Sequence, residues 1–170
     1  MSHHLILGVF AGDTEAAVAQ LDRYNKSQDE VGIAEAVAIV KTADGEDEVK
    51  LMGDPRKKAR RIGAVAGGML GLLGGPVTAA MLGAAGGAVA GDLIAKLTHS
   101  GVSKEMINAV EEGLEPGSSA VVVIVEEQAG DLVVKDLKRS GANVVNEMVE
   151  SEVIEDSYLI SPSHGRSSTQ

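Results

Sequence analysis

Four histidines are the first residues to test for chemistry: His3, His4, His99 and His164. No two of them share a helix face with a carboxylate at the spacing a zinc site needs. His99 reads instead as a helix-end residue, where partial positive charge is favourable. The carboxylate run Asp44–Glu48, "DGEDE", lacks the order of a calcium loop, with ligands at set spacings around a central glycine and a distal Glu, and reads as a solvated turn. Glu150, Glu152, Glu155 and Asp156 read as a solvated strand end. "EPGSSA" at Glu115–Ala120 has the look of a nucleophile loop but no G-x-S-x-G and no partner histidine. Its Pro116 and Gly117 supply a bend, and Ser118 and Ser119 local hydrogen bonds. Neither GxGxxG nor GxxxxGK occurs, so nucleotide fingerprints are absent. With no cysteine in the chain, disulfides and thiolate chemistry are excluded. The expectation is a non-enzymatic protein with no catalytic, cofactor-binding or metal-binding residue.

The elements that would position such residues fall into two similar flanks. In residues 3–52, "HLILGVF" is a strand. "DTEAAVAQLDRYNKSQ" is a helix capped by Asp13, with Ala17, Val18, Leu21 and Tyr24 at helical spacing. "GIAEAVAIVKT" is a strand, Asp44-Gly45 a turn, and "EVKLMGD" a short hairpin partner. In residues 100–157, Ser103 caps a short helix, "AVVVIV" is a fully apolar and hence central strand, and "GDLVVKDLKRSGA" is an amphipathic helix ended by Gly141. "NVVNEMVES" closes the series as a strand. Two βαβ units of this kind predict an α+β, ferredoxin-like βαβ–βαβ domain with a four-stranded antiparallel sheet. The expected divisions are 1–55 for the first half, 56–99 for an insert, 100–157 for the second half and 158–170 for a flexible tail rich in serine.

The insert carries the strongest pattern in the chain. Gly63, Gly67, Gly71 and Gly75 recur every four residues, and after Pro76 the spacing resumes as Ala79, Gly83, Gly87, Gly91 and Ala95. Residues four apart share a helix face, so each half presents a stripe almost without side chains, which another backbone can approach closely. Ten glycines between 62 and 91 would cost on the order of 10 kcal/mol in an unpacked helix. Packing must offset that. The "GGP" at Gly74–Pro76 is the turn of a helical hairpin, roughly 57–73 and 77–97. Its helices of about 25 and 31 Å approach the thickness of a bilayer core, and five cations, Arg56, Lys57, Lys58, Arg60 and Arg61, form a collar suited to an anionic surface. The composition fits equally a soluble oligomer with these helices at its centre. A flexible spacer would have no use for such regular spacing.

Composition narrows the partners. The formal charge is −10 and aromatic residues make up 2% of the chain. An acidic surface repels nucleic acid, and the scarcity of π faces argues against base stacking. No small-molecule substrate is evident. The start of the chain lacks the pattern of a signal peptide, so the expected location is cytoplasmic, with or without attachment to the cytoplasmic face of a membrane.

The hairpin, then "GVSKEMINAVEEGLEPGSSAVVVIVE", then "GANVVNEMVESE", resembles the bacterial domain-of-unknown-function 1269 family, whose members are commonly labelled predicted membrane proteins. The most specific part is the helix followed by Leu114, Pro116, Gly117, Ser118, Ser119, Ala120 and a Val-rich strand. The resemblance spans about residues 4–155. It implies a ferredoxin-like domain interrupted by a helical hairpin and implies no activity. The expected function is self-assembly into a homo-oligomer through the small-residue stripes. The alternative is a hairpin-anchored protein of the cytoplasmic membrane face, in contact with lipid and tied to envelope stress. A third reading, a sensor or enzyme using an open sheet face, rests on fold analogy alone.

Overall fold

The computed structural model describes residues 2–51, 69, 73, 98, 101–112 and 114–150. Its elements are β1 (Ser2–Phe10), α1 (Ala16–Lys26), a single turn α2 (Gln28–Val31), β2 (Ile33–Lys41), β3 (Asp47–Leu51), α3 (Lys104–Glu111), β4 (Ser118–Glu126), a 3₁₀ turn (Glu127–Ala129), α4 (Gly130–Arg139) and β5 (Asn143–Glu150). The fold is α+β. The sheet is antiparallel in the order β3-β2-β4-β1-β5.

The sheet has five strands rather than the four expected, because the Asp44-Gly45 turn does return the chain to the sheet. Gly45 takes a positive φ of 86° that suits glycine. Thr42 N–H donates to Glu46 O at 2.8 Å, and Gly45 N–H to Thr42 O at 2.9 Å. β3 then pairs with β2 from Lys41↔Asp47 to Val37↔Leu51. Exposed Glu48 and Lys50 keep this edge strand charged, which discourages further pairing.

Strand alternation sorts the core into two layers. Leu5, Leu7, Val37, Ile39, Ala120, Val122 and Ile124 point to one face. Ile6, Phe10, Ala36, Ala38, Val121, Val123 and Val125 point to the other. β4 lies at the centre of the sheet, and its residues from Ser118 to Val125 are all buried, as its unbroken apolar run predicts. Ala17, Leu21 and Tyr24 of α1, with Val133 and Leu137 of α4, cover the second face. Met106, Ile107 and Val110 of α3 cover the first, together with Met69 and Leu73.

Met69 and Leu73 correct the idea of an open sheet face. Both positions are helical, one turn apart, and exposed by only 0% and 2%. Leu114 N–H donates to Leu73 O at 3.2 Å, which ties this segment to the end of α3. The face that a sensor or enzyme would have used is filled by the chain's own side chains.

The connections combine local caps with bonds that reach far along the chain. Ser103 Oγ accepts from Met106 N–H at 3.2 Å and caps α3. Its own N–H donates to both Glu147 carboxylate oxygens at 3.1 Å, fastening the helix start to β5. Gly141, at φ 95°, ends α4, and Ala142 N–H returns to Leu137 O at 3.0 Å. Asp13 Oδ1 accepts from Glu15 N–H and Ala16 N–H at 2.9 and 3.0 Å ahead of α1. The bonds of Ser118 and Ser119, expected to be local, are long-range as well. Ser118 Oγ accepts from Gly12 N–H at 3.0 Å. Ser119 Oγ accepts from Ala17 N–H at 3.2 Å and donates to Asp13 O at 2.6 Å. The start of β4 thus holds the β1–α1 loop, about a hundred residues away in sequence.

Candidate functional site

α1 buries Ala17, Gln20, Leu21 and Tyr24. Three of these are core residues of the expected spacing. Gln20 is a polar residue exposed by only 1%, so its amide must find partners. Val18, expected on the core face, is half-buried.

The partners come from α4. Gln20 Nε2 donates to Asp136 Oδ2, and Gln20 Oε1 accepts from Arg23 Nη2. Arg23 Nη2 also donates to Ser140 Oγ at 2.9 Å and lies 3.7 Å from Asp136 Oδ2. Ser140 Oγ sits 3.1 Å from Gln20 Oε1 and 3.0 Å from Asp136 O, so its single proton serves one of them. This cluster clamps α1 to α4 across the same face of the sheet. The Arg23–Asp136 pair is partly exposed, with side-chain exposures of 58% and 37%, and adds little stability by itself.

Beside the clamp runs an open groove of about 550 Å³, lined by Arg23, Tyr24, Ser27 and Val31 on one side and by Leu132, Val133, Lys135, Asp136 and Arg139 on the other. Three of its side chains are cations and one is a carboxylate, in a chain of net charge −10. Leu132 is 59% exposed. Tyr24 forms part of the core and is only 4% exposed, with its hydroxyl buried beside the Gln20 and Asp136 side chains of the clamp. Burial pushes the Tyr24 phenol well above its ordinary range, with the Asp136 charge acting in the same direction.

That shift has a sign. The raised folded-state value favours the native state below about pH 10, where a solvated phenol ionises, and this contribution is lost as pH climbs beyond it. Stability is therefore expected to fall above about pH 10, and Tyr24→Phe to flatten the decline. Denaturant titrations from pH 8 to 11 check this; identical slopes for the two proteins would refute it.

A second groove, of about 590 Å³, lies between α1 and the β2–β3 hairpin. Its charged lining residues, Glu15, Asp22, Glu48 and Lys50, are all exposed, as solvated surface groups are.

The residues singled out from sequence are distributed as follows. Asp44, Gly45 and Glu46 sit in the exposed hairpin turn, followed by Glu48 on β3. His4 Nδ1 is 2.8 Å from Asn146 Oδ1 on β5. Its ring lies so close to the start of α4 that a Cβ built at Gly130 would be 2.0 Å from it, a packing position. Gly63, Gly67, Gly71, Gly75, Ala79, Gly83, Gly87 and Gly91, the collar Arg56, Lys57, Lys58, Arg60 and Arg61, and His99 and His164 lie outside the described residues. Among the described residues, no group of three or more His, Asp or Glu is placed to hold a metal ion, and no helix is long and apolar enough to cross a membrane. The α1–α4 groove was not foreseen. Gln20 and Asp136 are 116 positions apart, and the one local signal was a glutamine on an otherwise apolar helix stripe.

No curated protein and no solved structure matches this chain. A family model does match over residues 62–156, from the glycine-rich segment through α3, β4, α4 and β5, a narrower span than the resemblance suggested. The match covers more than half of the chain, which belongs to the family described as protein of unknown function, DUF1269.

Proposed function

We propose that the protein is a non-enzymatic assembly module: a ferredoxin-like domain that docks one face of its glycine-rich segment on its own sheet and offers the opposite face to other copies. The ferredoxin-like reading is supported by the order β2-β4-β1-β5 within the sheet, in which β4 separates β1 from β2 and β1 separates β4 from β5, the interleaving of two split βαβ units. β3 extends one edge.

The observation that carries the assembly reading is the burial of Met69 and Leu73 against the sheet. Successive helical residues turn by about 100°. Were helical spacing to hold through 63–75, the sequence positions of Gly67 and Gly71 would fall about 200° from Met69, and the stripe would centre opposite the Met69–Leu73 face. A face of glycines turned from its own core suits close contact with a second helix, from the 79–95 half or from another copy. The experiment is mass by light scattering on the wild type and on Gly67→Leu and Gly87→Leu. A discrete multiple of 17.4 kDa that collapses in both variants is expected. A wild-type monomer, or variants of unchanged mass, would sink the reading.

The second reading, a hairpin anchored at a membrane's cytoplasmic face and tied to envelope stress, is favoured by one observation: five cations directly before a stretch, 62–91, that has no charged residue. Flotation with anionic vesicles separates the two. Under this reading the protein floats after a high-salt wash, and glutamine at Lys57, Lys58, Arg60 and Arg61 reduces recruitment.

A further inference from the structure

We propose that the outer edge of β5 is an interface of its own, at which two copies of this chain join their sheets by antiparallel β5–β5 pairing about a two-fold axis at Asn146. The inference goes beyond the glycine-stripe reading and does not rest on it.

The sheet ends in β3 on one side and β5 on the other, and the two edges differ in kind. β3 is five residues long and carries Asp47, Glu48 and Lys50. β5 is eight residues long and follows β1 in unbroken register from Ser2↔Glu150 to Val9↔Asn143. It has no proline, no bulge and no lysine, the devices that keep an edge from pairing. Alternate N–H and C=O groups of a strand point away from its neighbour, and those on the outer side of β5 have no bonded partner among the described residues. The side chains suit burial as well. Val144 and Val145 are half-buried, one on each face of the sheet. Met148 is 46% exposed, one of two large hydrophobic side chains so exposed among the described residues.

The pattern of residues selects a second β5 as the occupant. A β3 edge from another copy would bring Asp47 and Glu48 to a strand that already carries Glu147 and Glu150, and two unlike edges would build an open filament. Two β5 strands close as a dimer and are self-complementary. A two-fold axis normal to the sheet sets residues of equal parity opposite each other, on one face. With the axis at Asn146, Val144 meets the partner's Met148 and Met148 meets the partner's Val144. Both exposed methionines then gain a directly opposed apolar neighbour, the pairing that stabilises sheets. Glu147 falls opposite the partner's Val145, so no like charges are directly opposed, and Ser103 N–H already holds each Glu147 carboxylate. An axis at Glu147 would oppose two carboxylates. An axis at Val145 would set Met148 against the partner's Ala142, which lies outside the strand. Asn146 meets the partner's Asn146, and a carboxamide both donates and accepts.

The chain has no cysteine, so disulfide trapping in the full-length protein reads this contact without background. Under mild oxidation Asn146→Cys should give a covalent dimer at least about tenfold faster than Val144→Cys or Met148→Cys, because only at the axis do two thiols come within bonding distance. The other two positions sit four residues, ~14 Å, from their counterparts. The double variant Val144→Cys/Met148→Cys should link again. The preference for position 146 should persist in a Gly67→Leu background, which separates this contact from the glycine stripes. A second measurement needs no cysteine. Hydrogen exchange at the outward β5 amides should be slow in the wild type and faster in Met148→Lys, a change at an exposed side chain that the fold tolerates. Three outcomes would each overturn the proposal. Equal linking rates at 144, 146 and 148 would mark random collision. Fast exchange of all outward β5 amides in the wild type would mark an open edge. Slow exchange that Met148→Lys leaves unchanged would mean that a segment of the same chain covers the strand.

Discussion

Met69→Ala and Leu73→Ala are each expected to lower the free energy of unfolding by about 2–5 kcal/mol, the cost of large-to-small changes at fully packed sites. Both side chains are essentially absent from the surface and share a cluster with Leu5, Leu7, Val37, Ile39, Met106 and Val122. The core around them is aliphatic, and a cavity there is lined by branched side chains whose rotamers limit relaxation. Leu73 has a further role, because its carbonyl accepts from Leu114 N–H and so fixes where the chain leaves α3 for β4. Urea unfolding at fixed protein concentration, which holds any assembly equilibrium constant, gives the measurement. The two residues are neighbours on one helix face, so the double variant should cost less than the sum of the singles. If the glycine-rich segment stood away from the domain, neither change would move the transition by more than about 0.5 kcal/mol, as at ordinary surface positions. Such a result would remove the basis for placing the glycine stripe on the outer side.

The contrast between Met69 and its surroundings explains what could be read from sequence and what could not. β1, β2, β4 and β5 were legible because each is a short apolar or alternating run bounded by turn residues, and Gly45, Gly117 and Gly141 all adopt the positive φ that their turns require. The central place of β4 followed from Ala120–Val125, which has no polar residue to give to water. Ser103 was legible as a cap because capping is a contact three residues long. Sheet face and layer are different in kind. Nothing in the local period of α3 says that it packs opposite α1 and α4, and Met69 and Leu73 are two bulky residues in a run whose glycines dominate any pattern. The clamp of Gln20, Arg23, Asp136 and Ser140 depends on a contact between distant helices, as do the bonds from Ser118 and Ser119 to the β1–α1 loop. A serine after Pro-Gly reads locally as a turn residue, and only the sheet order brings it to Ala17.

The second large effect is expected at Leu137, the fully buried anchor of α4. Leu137→Ala should cost about 2–5 kcal/mol, and the site offers its own control. Gly8 lies opposite on β1, where an added Cβ would meet both Leu137 methyl groups at 3.3 Å and Ala142 Cβ at 3.5 Å. Gly8→Ala alone is therefore tight, and overpacking of this kind costs up to about 1–3 kcal/mol. In the Leu137→Ala background the same methyl enters the space that the leucine vacated and partly refills it. The two changes should couple by about 0.5–3 kcal/mol, with the double variant more stable than the sum of the singles predicts. Strict additivity would mean that α4 does not seat on β1 through this contact. The consequence reaches the groove, because Asp136 precedes Leu137 directly and Lys135 and Arg139 flank it on the same helix. When the anchor is lost, Asp136 moves with α4 while Gln20 and Arg23 stay with α1. The Gln20–Asp136 clamp should therefore loosen in Leu137→Ala and tighten again in the double variant in step with stability.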